Sequence, residues 1–135
     1  MFHQGYICLF RMSHEIMKKI YLVEDDYNLR ELICYLLTDH DYEVEAFANA
    51  TSFKERISGL DIDPDLILMD IMLPDGNGVE LCRAIKADDK TSSIPVILMS
   101  AHADPSITQN SGAIDFIAKP FDVDQFYSRL NKYLN

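Results

Sequence analysis

The strongest constraint in this chain is a set of short apolar runs with no polar alternation. Ile20-Tyr21-Leu22-Val23, Leu66-Ile67-Leu68-Met69 and Val96-Ile97-Leu98-Met99 are each continuous and bounded by polar or turn-forming residues. A strand that is apolar on both sides must be covered on both faces. These runs therefore predict the middle of a parallel sheet with helices above and below it. Two more strands are predicted, at Glu43–Phe47 and in the run Ile114-Asp115-Phe116-Ile117-Ala118.

Between the runs, apolar residues recur at helical spacing: Leu29, Leu32, Ile33, Leu36 and Leu37; Phe53, Ile57 and Leu60; Val79, Cys82 and Ile85; Val123, Phe126, Tyr127, Leu130 and Leu134. Asn28-Leu29-Arg30-Glu31 has the form of a capping box with Asn in place of Ser. The second helix ends near Gly59, before Asp63-Pro64, and Gly76-Asn77-Gly78 is a turn that precedes the third. The stretch 105–110 is only weakly helical. The alternation amounts to five β-α units in a single domain of 135 residues. Residues 18–135 are the predicted domain, and 1–17 are read as an N-terminal extension, either disordered or preceding the native start.

A net charge of -10 leaves no basic stripe to displace counterions, which argues against direct binding to nucleic acid. Cys8, Cys34 and Cys82 are odd in number and widely spaced, as expected of reduced thiols in a cytoplasmic protein. No apolar run approaches the roughly 18 to 20 residues that a bilayer crossing needs, and residues 1–11 make a poor signal peptide.

Chemistry is suggested by where the runs end. Ile20–Val23 ends in Glu24-Asp25-Asp26, Leu66–Met69 ends in Asp70, and the fifth strand ends in Lys119-Pro120. If the strands are parallel, three carboxylates and one ammonium meet at the sheet edge where open α/β sheets bind ligands. Two carboxylates about 5 Å apart repel by roughly 3 kcal/mol at an effective dielectric near 20, so the cluster needs a cation. A hard, oxygen-preferring divalent ion such as Mg²⁺ satisfies it. Singly, each residue also has a plainer use: Asp25 and Asp26 as helix caps, Asp70 as a turn residue, Ser100 as a backbone partner, Lys119 as a solvated charge. Their falling together at one edge favours the chemical reading.

Four segments in this order resemble the receiver domains of bacterial two-component response regulators. They are Val23-Glu24-Asp25-Asp26, Leu68 through Gly76 around Asp70, Val96 through Ala101, and Gly112-Ala113 with Ala118-Lys119-Pro120-Phe121. The resemblance covers residues 18 to 135. It implies a flavodoxin-like, doubly wound five-stranded parallel sheet in the order 2-1-3-4-5, a topology taken from the family. It also implies that Asp70 accepts a phosphoryl group from a sensor histidine kinase or a histidine phosphotransfer protein. Glu24, Asp25, Asp70 and the backbone carbonyl of Met72 would hold Mg²⁺, and Lys119 would pair with a phosphoryl oxygen. By the same resemblance Ser100 would donate its hydroxyl, Phe116 would be the aromatic switch, and the Lys119-Pro120 bond would be cis. Met72 and His102 occupy positions that line the path of the attacking water in this family, so they are expected to tune the lifetime of the phosphorylated state.

The chain departs from the family between Ser100 and Lys119. Their interval is about three residues shorter than usual, close to one helical turn, and the loss falls in the fourth helix. A shortened fourth helix is therefore expected. With the fifth helix reaching Asn135, the expected protein is a stand-alone phosphoacceptor. It would have at most self-catalysed phosphotransfer and autodephosphorylation, and would signal by contact with a downstream protein. The alternative is a pseudo-receiver that binds partners without phosphorylation. An aspartyl phosphatase is disfavoured because Met72 stands where a second aspartate would serve as general acid.

Overall fold

The computed structural model describes residues 6–8, 17–102, 104 and 106–135. The first apolar run forms β2 (Lys19–Val23), and the strands β3 (Glu43–Phe47), β4 (Leu66–Asp70), β7 (Val96–Ser100) and β8 (Asp115–Ala118) run parallel to it. Their spatial order is β3-β2-β4-β7-β8, the five-stranded arrangement that the resemblance implied. The chain moves from β2 to one side and then returns to the other. The resulting crevice lies between the C-terminal ends of β2 and β4.

Successive residues of each strand face opposite layers. Ile20, Leu22, Leu66, Leu68, Ile97 and Met99 face helices α1 (Tyr27–Asp39) and α5 (Val123–Leu134), where Ile33, Leu37, Phe126 and Leu130 close the core. Tyr21, Val23, Ile67, Met69 and Leu98 face α2 (Ala50–Ile57) and α3 (Gly78–Ala87) through Phe53, Leu81, Cys82 and Ile85. Each of the larger side chains contributes about 1.5–3 kcal/mol on leaving water. Cys34 and Cys82 lie buried, one in each layer.

Helix α4 (Ser106–Ser111) is six residues long, the shortening expected from the Ser100–Lys119 interval. Gly112, at φ 85, ends it in a conformation that a side chain would strain. Between β4 and α3 the predicted turn is a small hairpin of β5 (Met72–Leu73) and β6 (Gly76–Asn77).

The structure corrects two details and adds a strand. The cap of α1 is Asp26, not Asn28: its backbone is extended, and its carboxylate accepts the Leu29 N–H at 2.9 Å. The helix already begins at Tyr27, which puts Asn28 inside it. Leu60 lies beyond the end of α2 and is 86% exposed. There Arg56 holds the carbonyls of Leu60 and Asp61 while Asp61 turns the chain at φ 60. Within the extension, Tyr6–Cys8 form β1, which pairs antiparallel with β3 from Tyr6↔Ala46 to Cys8↔Val44. Three residues are too few for the sequence to show a period. His3, His14 and Pro105 lie outside the described residues.

Candidate functional site

Asp70 ends β4, and its carboxylate emerges in the crevice only 6% exposed. Its Oδ2 lies 3.0 Å from Lys119 Nζ, and its Oδ1 accepts the Met72 N–H at 3.4 Å. Gly78 supports this strand end from behind. Its N–H donates to the Ile71 carbonyl at 2.7 Å, and a Cβ at position 78 would lie 2.4 Å from the Asp70 carbonyl oxygen.

Glu24 and Asp25 follow β2. Glu24 is fully buried: Oε1 accepts from Lys119 Nζ at 2.7 Å and Oε2 accepts the Asp26 N–H at 3.1 Å. Burial pushes its carboxyl up to about 7, against the pull of those two hydrogen bonds and with help from the Asp70 charge. For Lys119, burial works to lower the ammonium, but the Glu24 and Asp70 carboxylates outweigh it and the net shift is upward. Asp25 is exposed. One carboxylate oxygen from each of Glu24, Asp25 and Asp70 lies within 4.8 Å of the others.

Lys119 directly follows β8. Its N–H donates to the Ser100 carbonyl at 2.9 Å, and its bond to Pro120 is cis, as expected. Ser100 ends β7, buried, with its Oγ accepting the His102 N–H at 3.1 Å. The structure thus brings Glu24, Asp25, Asp70 and Lys119 together and sets Ser100 at the same end of the sheet. Met72 and His102 expose their side chains beside it, Met72 by 65%. Phe116 stands further back, half-buried, paired with Leu98 rather than with Ser100. Arg129 donates to its carbonyl at 2.7 Å and to the Asp115 carboxylate at 2.9 Å.

Two residues at this end had no role in the sequence reading. Arg30 is buried, and its Nη1 donates to the carbonyls of Glu24 at 2.8 Å and Asp25 at 3.1 Å. Its signal was available: it falls three, four and seven residues before Ile33, Cys34 and Leu37, on the buried stripe, where an arginine needs acceptors. Asp75, noted above only within the segment from Leu68 to Gly76, holds the start of α2. It accepts the N–H groups of Ala50 and Thr51 at 2.7 and 2.9 Å and the Thr51 hydroxyl at 2.5 Å.

Three hard oxygen donors balanced by a single ammonium suit a divalent cation that prefers oxygen, Mg²⁺ among them. The same arrangement leaves a carboxylate, Asp70, beside a cation that can follow charge onto an incoming anion.

Comparison with known proteins agrees with this arrangement. A family model described as "Response regulator receiver domain" matches residues 20–131. The chain is 37% identical over 123 residues to the transcriptional regulatory protein CrdR of Helicobacter pylori, covering 89% of this chain and 56% of that protein. It is 35% identical over 125 residues to the regulatory protein VirG of Agrobacterium tumefaciens, covering 90% of this chain and 45% of that one. It therefore spans about half the length of these curated relatives. Among solved structures, the signal receiver domain of a histidine kinase from Syntrophus aciditrophicus superposes with a TM-score of 0.77 at 32% identity, over 87% of this chain and 89% of that one. No helix among the described residues is long and apolar enough to cross a membrane. The chain belongs to the receiver domain family of two-component response regulators.

Proposed function

We propose that Asp70 accepts a phosphoryl group from a phosphohistidine on a sensor kinase or phosphotransfer protein, and that the phosphorylated domain signals by binding a downstream protein. Receiver domains are the phosphoacceptors of two-component signalling, so phosphorylation-dependent signalling follows from family membership. The observation that carries the assignment to Asp70 is its position at the end of β4, 3.0 Å from Lys119 and clustered with Glu24 and Asp25.

In the transfer, an Asp70 carboxylate oxygen forms a bond to phosphorus while the phosphorus–nitrogen bond of the donor breaks. The electron pair leaves with the imidazole, and an acyl phosphate remains on Asp70. A carboxylate is a poor nucleophile toward a phosphoryl anion unless that anion's charge is offset. Lys119 supplies one offset by shifting its ammonium from Asp70 Oδ2 to a phosphoryl oxygen. Glu24, Asp25, Asp70 and the Met72 carbonyl would hold Mg²⁺, which when bound neutralises the developing charge on the phosphoryl oxygens. Ser100 can turn its hydroxyl toward a second phosphoryl oxygen, and Phe116 can take up the space that this movement opens. Water can attack the same acyl phosphate, so the mark is temporary. Met72 and His102 stand at the exposed side from which water arrives.

The test is the intact mass of the protein after incubation with Mg²⁺ and acetyl phosphate, beside Asp70→Ala and EDTA controls. A single phosphoryl adduct that needs both Mg²⁺ and Asp70 supports the proposal. No adduct on a folded, Mg²⁺-binding protein, with acetyl phosphate and with a phosphohistidine donor alike, favours the pseudo-receiver. The intact set of Glu24, Asp25, Asp70, Ser100 and Lys119 speaks against that alternative. Within a cell the setting consistent with this chemistry and with the thiols is the cytoplasm.

A further inference from the structure

We infer that Arg30 is a positioning residue for the cation site: its guanidinium fixes the main chain of Glu24 and Asp25 so that both carboxylates face Asp70. The inference rests on the Mg²⁺ reading above.

Both acids belong to the segment between the end of β2 at Val23 and the start of α1 at Tyr27. The sheet holds this segment only at its start, where the Glu24 N–H donates to the Phe47 carbonyl at 3.0 Å; beyond that bond the two carbonyls of the acids lie outside any strand or helix ladder. One nitrogen of Arg30 restrains those two carbonyls. Nη1 has two N–H bonds, and it donates to Glu24 O at 2.8 Å and to Asp25 O at 3.1 Å. The anchor is itself fixed: Arg30 lies in α1, its own N–H donates to the Asp26 carbonyl at 2.9 Å, and its guanidinium carbon is 5.6 Å from the Tyr27 ring centroid. The carbonyls on either side of the Asp25 Cα are thus tied to the helix that follows them. Neither the Glu24–Asp25 nor the Asp25–Asp26 peptide unit can rotate without breaking one of the two bonds, so the backbone torsions on both sides of the Asp25 Cα, which set where its carboxylate points, are held.

This role has a sign that separates it from simpler ones. Arg30 is a cation close to a site that takes a cation. If charge were all that mattered, removing it would tighten Mg²⁺ binding. If it were only packing, removal would lower stability and leave the Mg²⁺ affinity of the folded protein unchanged. A positioning residue predicts the opposite of the first and differs from the second: Mg²⁺ binding weakens in a protein that is still folded.

The experiment is calorimetric titration of Mg²⁺ into the full chain as wild type, Arg30→Met and Arg30→Lys, each with its thermal unfolding curve. Arg30→Met is expected to weaken Mg²⁺ binding about 10-fold or more, as loss of groups that orient metal ligands does elsewhere. Arg30→Lys keeps a cation with three donors on a stem of similar reach and should recover most of the affinity. If Arg30→Met does not fold, Arg30→Gln takes its place, because its amide stops short of the Nη1 position and the same weakening is expected. An Arg30→Met or Arg30→Gln protein that is folded and binds Mg²⁺ as well as wild type, or better, overturns the inference. Failure of the wild type itself to bind Mg²⁺ overturns the metal reading instead, and the two failures are told apart by that control.

Discussion

Lys119 and Glu24 stand 95 residues apart in the chain and share a 2.7 Å hydrogen bond at the C-terminal end of the sheet. The same ammonium lies 3.0 Å from Asp70, so one cation serves two buried carboxylates, one just past β2 and one at the end of β4. Burial raises the Glu24 carboxyl from 4.5 to about 7, with a smaller push from the Asp70 charge, and the shared ammonium only partly offsets it. A carboxyl that holds its proton more tightly in the native state favours folding while it is protonated. The contribution is complete below the unfolded value of 4.5 and is lost as pH rises through about 7. Lys119, shifted upward, stays charged throughout that window. The displacement corresponds to about 3 kcal/mol at 1.36 kcal/mol per unit. Urea unfolding of the metal-free protein should therefore show stability falling from about pH 5 to about pH 8, with Glu24→Gln nearly flat over the same range. Parallel wild-type and variant curves would contradict the raised value.

Gly78→Ala should destabilise the domain by about 1–3 kcal/mol, as forced overpacking does. The new Cβ meets backbone on every side that matters, 2.4 Å from Asp70 O and 2.8 Å from Ile71 Cα, and backbone cannot step aside as a flexible side chain can. Relief requires the end of β4 to move, so the rate of acetyl phosphate labelling at Asp70 should fall as well. Gly59→Ala is the control. Its nearest contact is 3.4 Å from the Arg56 carbonyl, and its effect should stay within about 0.5 kcal/mol.

Asp75→Ala removes the acceptor for two N–H groups at the start of α2, where Asn49 alone would remain to bond the Ser52 N–H. The expected cost is about 1 kcal/mol. Amide exchange at Ala50 and Thr51 should accelerate more than at the α3 amides. The Thr51 hydroxyl and the Ala50 N–H hold the Asp75 carboxyl below its ordinary 3.8. This contribution has the opposite sign to that of Glu24: it is present above pH 3.8 and fades as pH falls further. Equal amide exchange in wild type and variant would remove Asp75 as a cap.

Met72 and His102, proposed to set the lifetime of the adduct, have exposed side chains, and their backbone N–H groups bond Asp70 Oδ1 and Ser100 Oγ. Met72→Asn places a group that can hydrogen-bond water next to the acyl phosphate, and decay of the adduct should quicken. His102→Ala removes the imidazole while leaving the bond from its backbone N–H to Ser100 Oγ in place. Its decay rate should also change. Following loss of the phosphoryl mass with time in both variants is enough, and rates equal to wild type would exclude the pair from setting the lifetime.

Much of this arrangement was legible before any coordinates, for a physical reason. Strands buried on both faces lose their alternation, so Ile20–Val23, Leu66–Met69 and Val96–Met99 declared a central parallel sheet. The acids that followed them then had to share its edge. Arg30 was hidden because a single arginine within a helix is ordinarily solvated, and only its register with Ile33, Cys34 and Leu37 betrayed it. Glu45 was equally hidden. It lies buried on β3, held by Arg56 at 3.0 Å and Lys19 at 3.6 Å, partners separated from it in sequence by different amounts and in opposite directions. Asn28 and Asp26 both suit a cap, and the choice depended on where β2 released the chain.

With β1 laid along β3, the described sheet is left with two rims: a three-residue strand, Tyr6–Cys8, and a four-residue strand, Asp115–Ala118. Short rims give a foreign strand few backbone groups to pair with, which guards against uncontrolled edge-to-edge growth. Under the proposed function, a partner that reads the phosphorylated state would then recognise side chains on the helices and loops, where the added charge at Asp70 is felt.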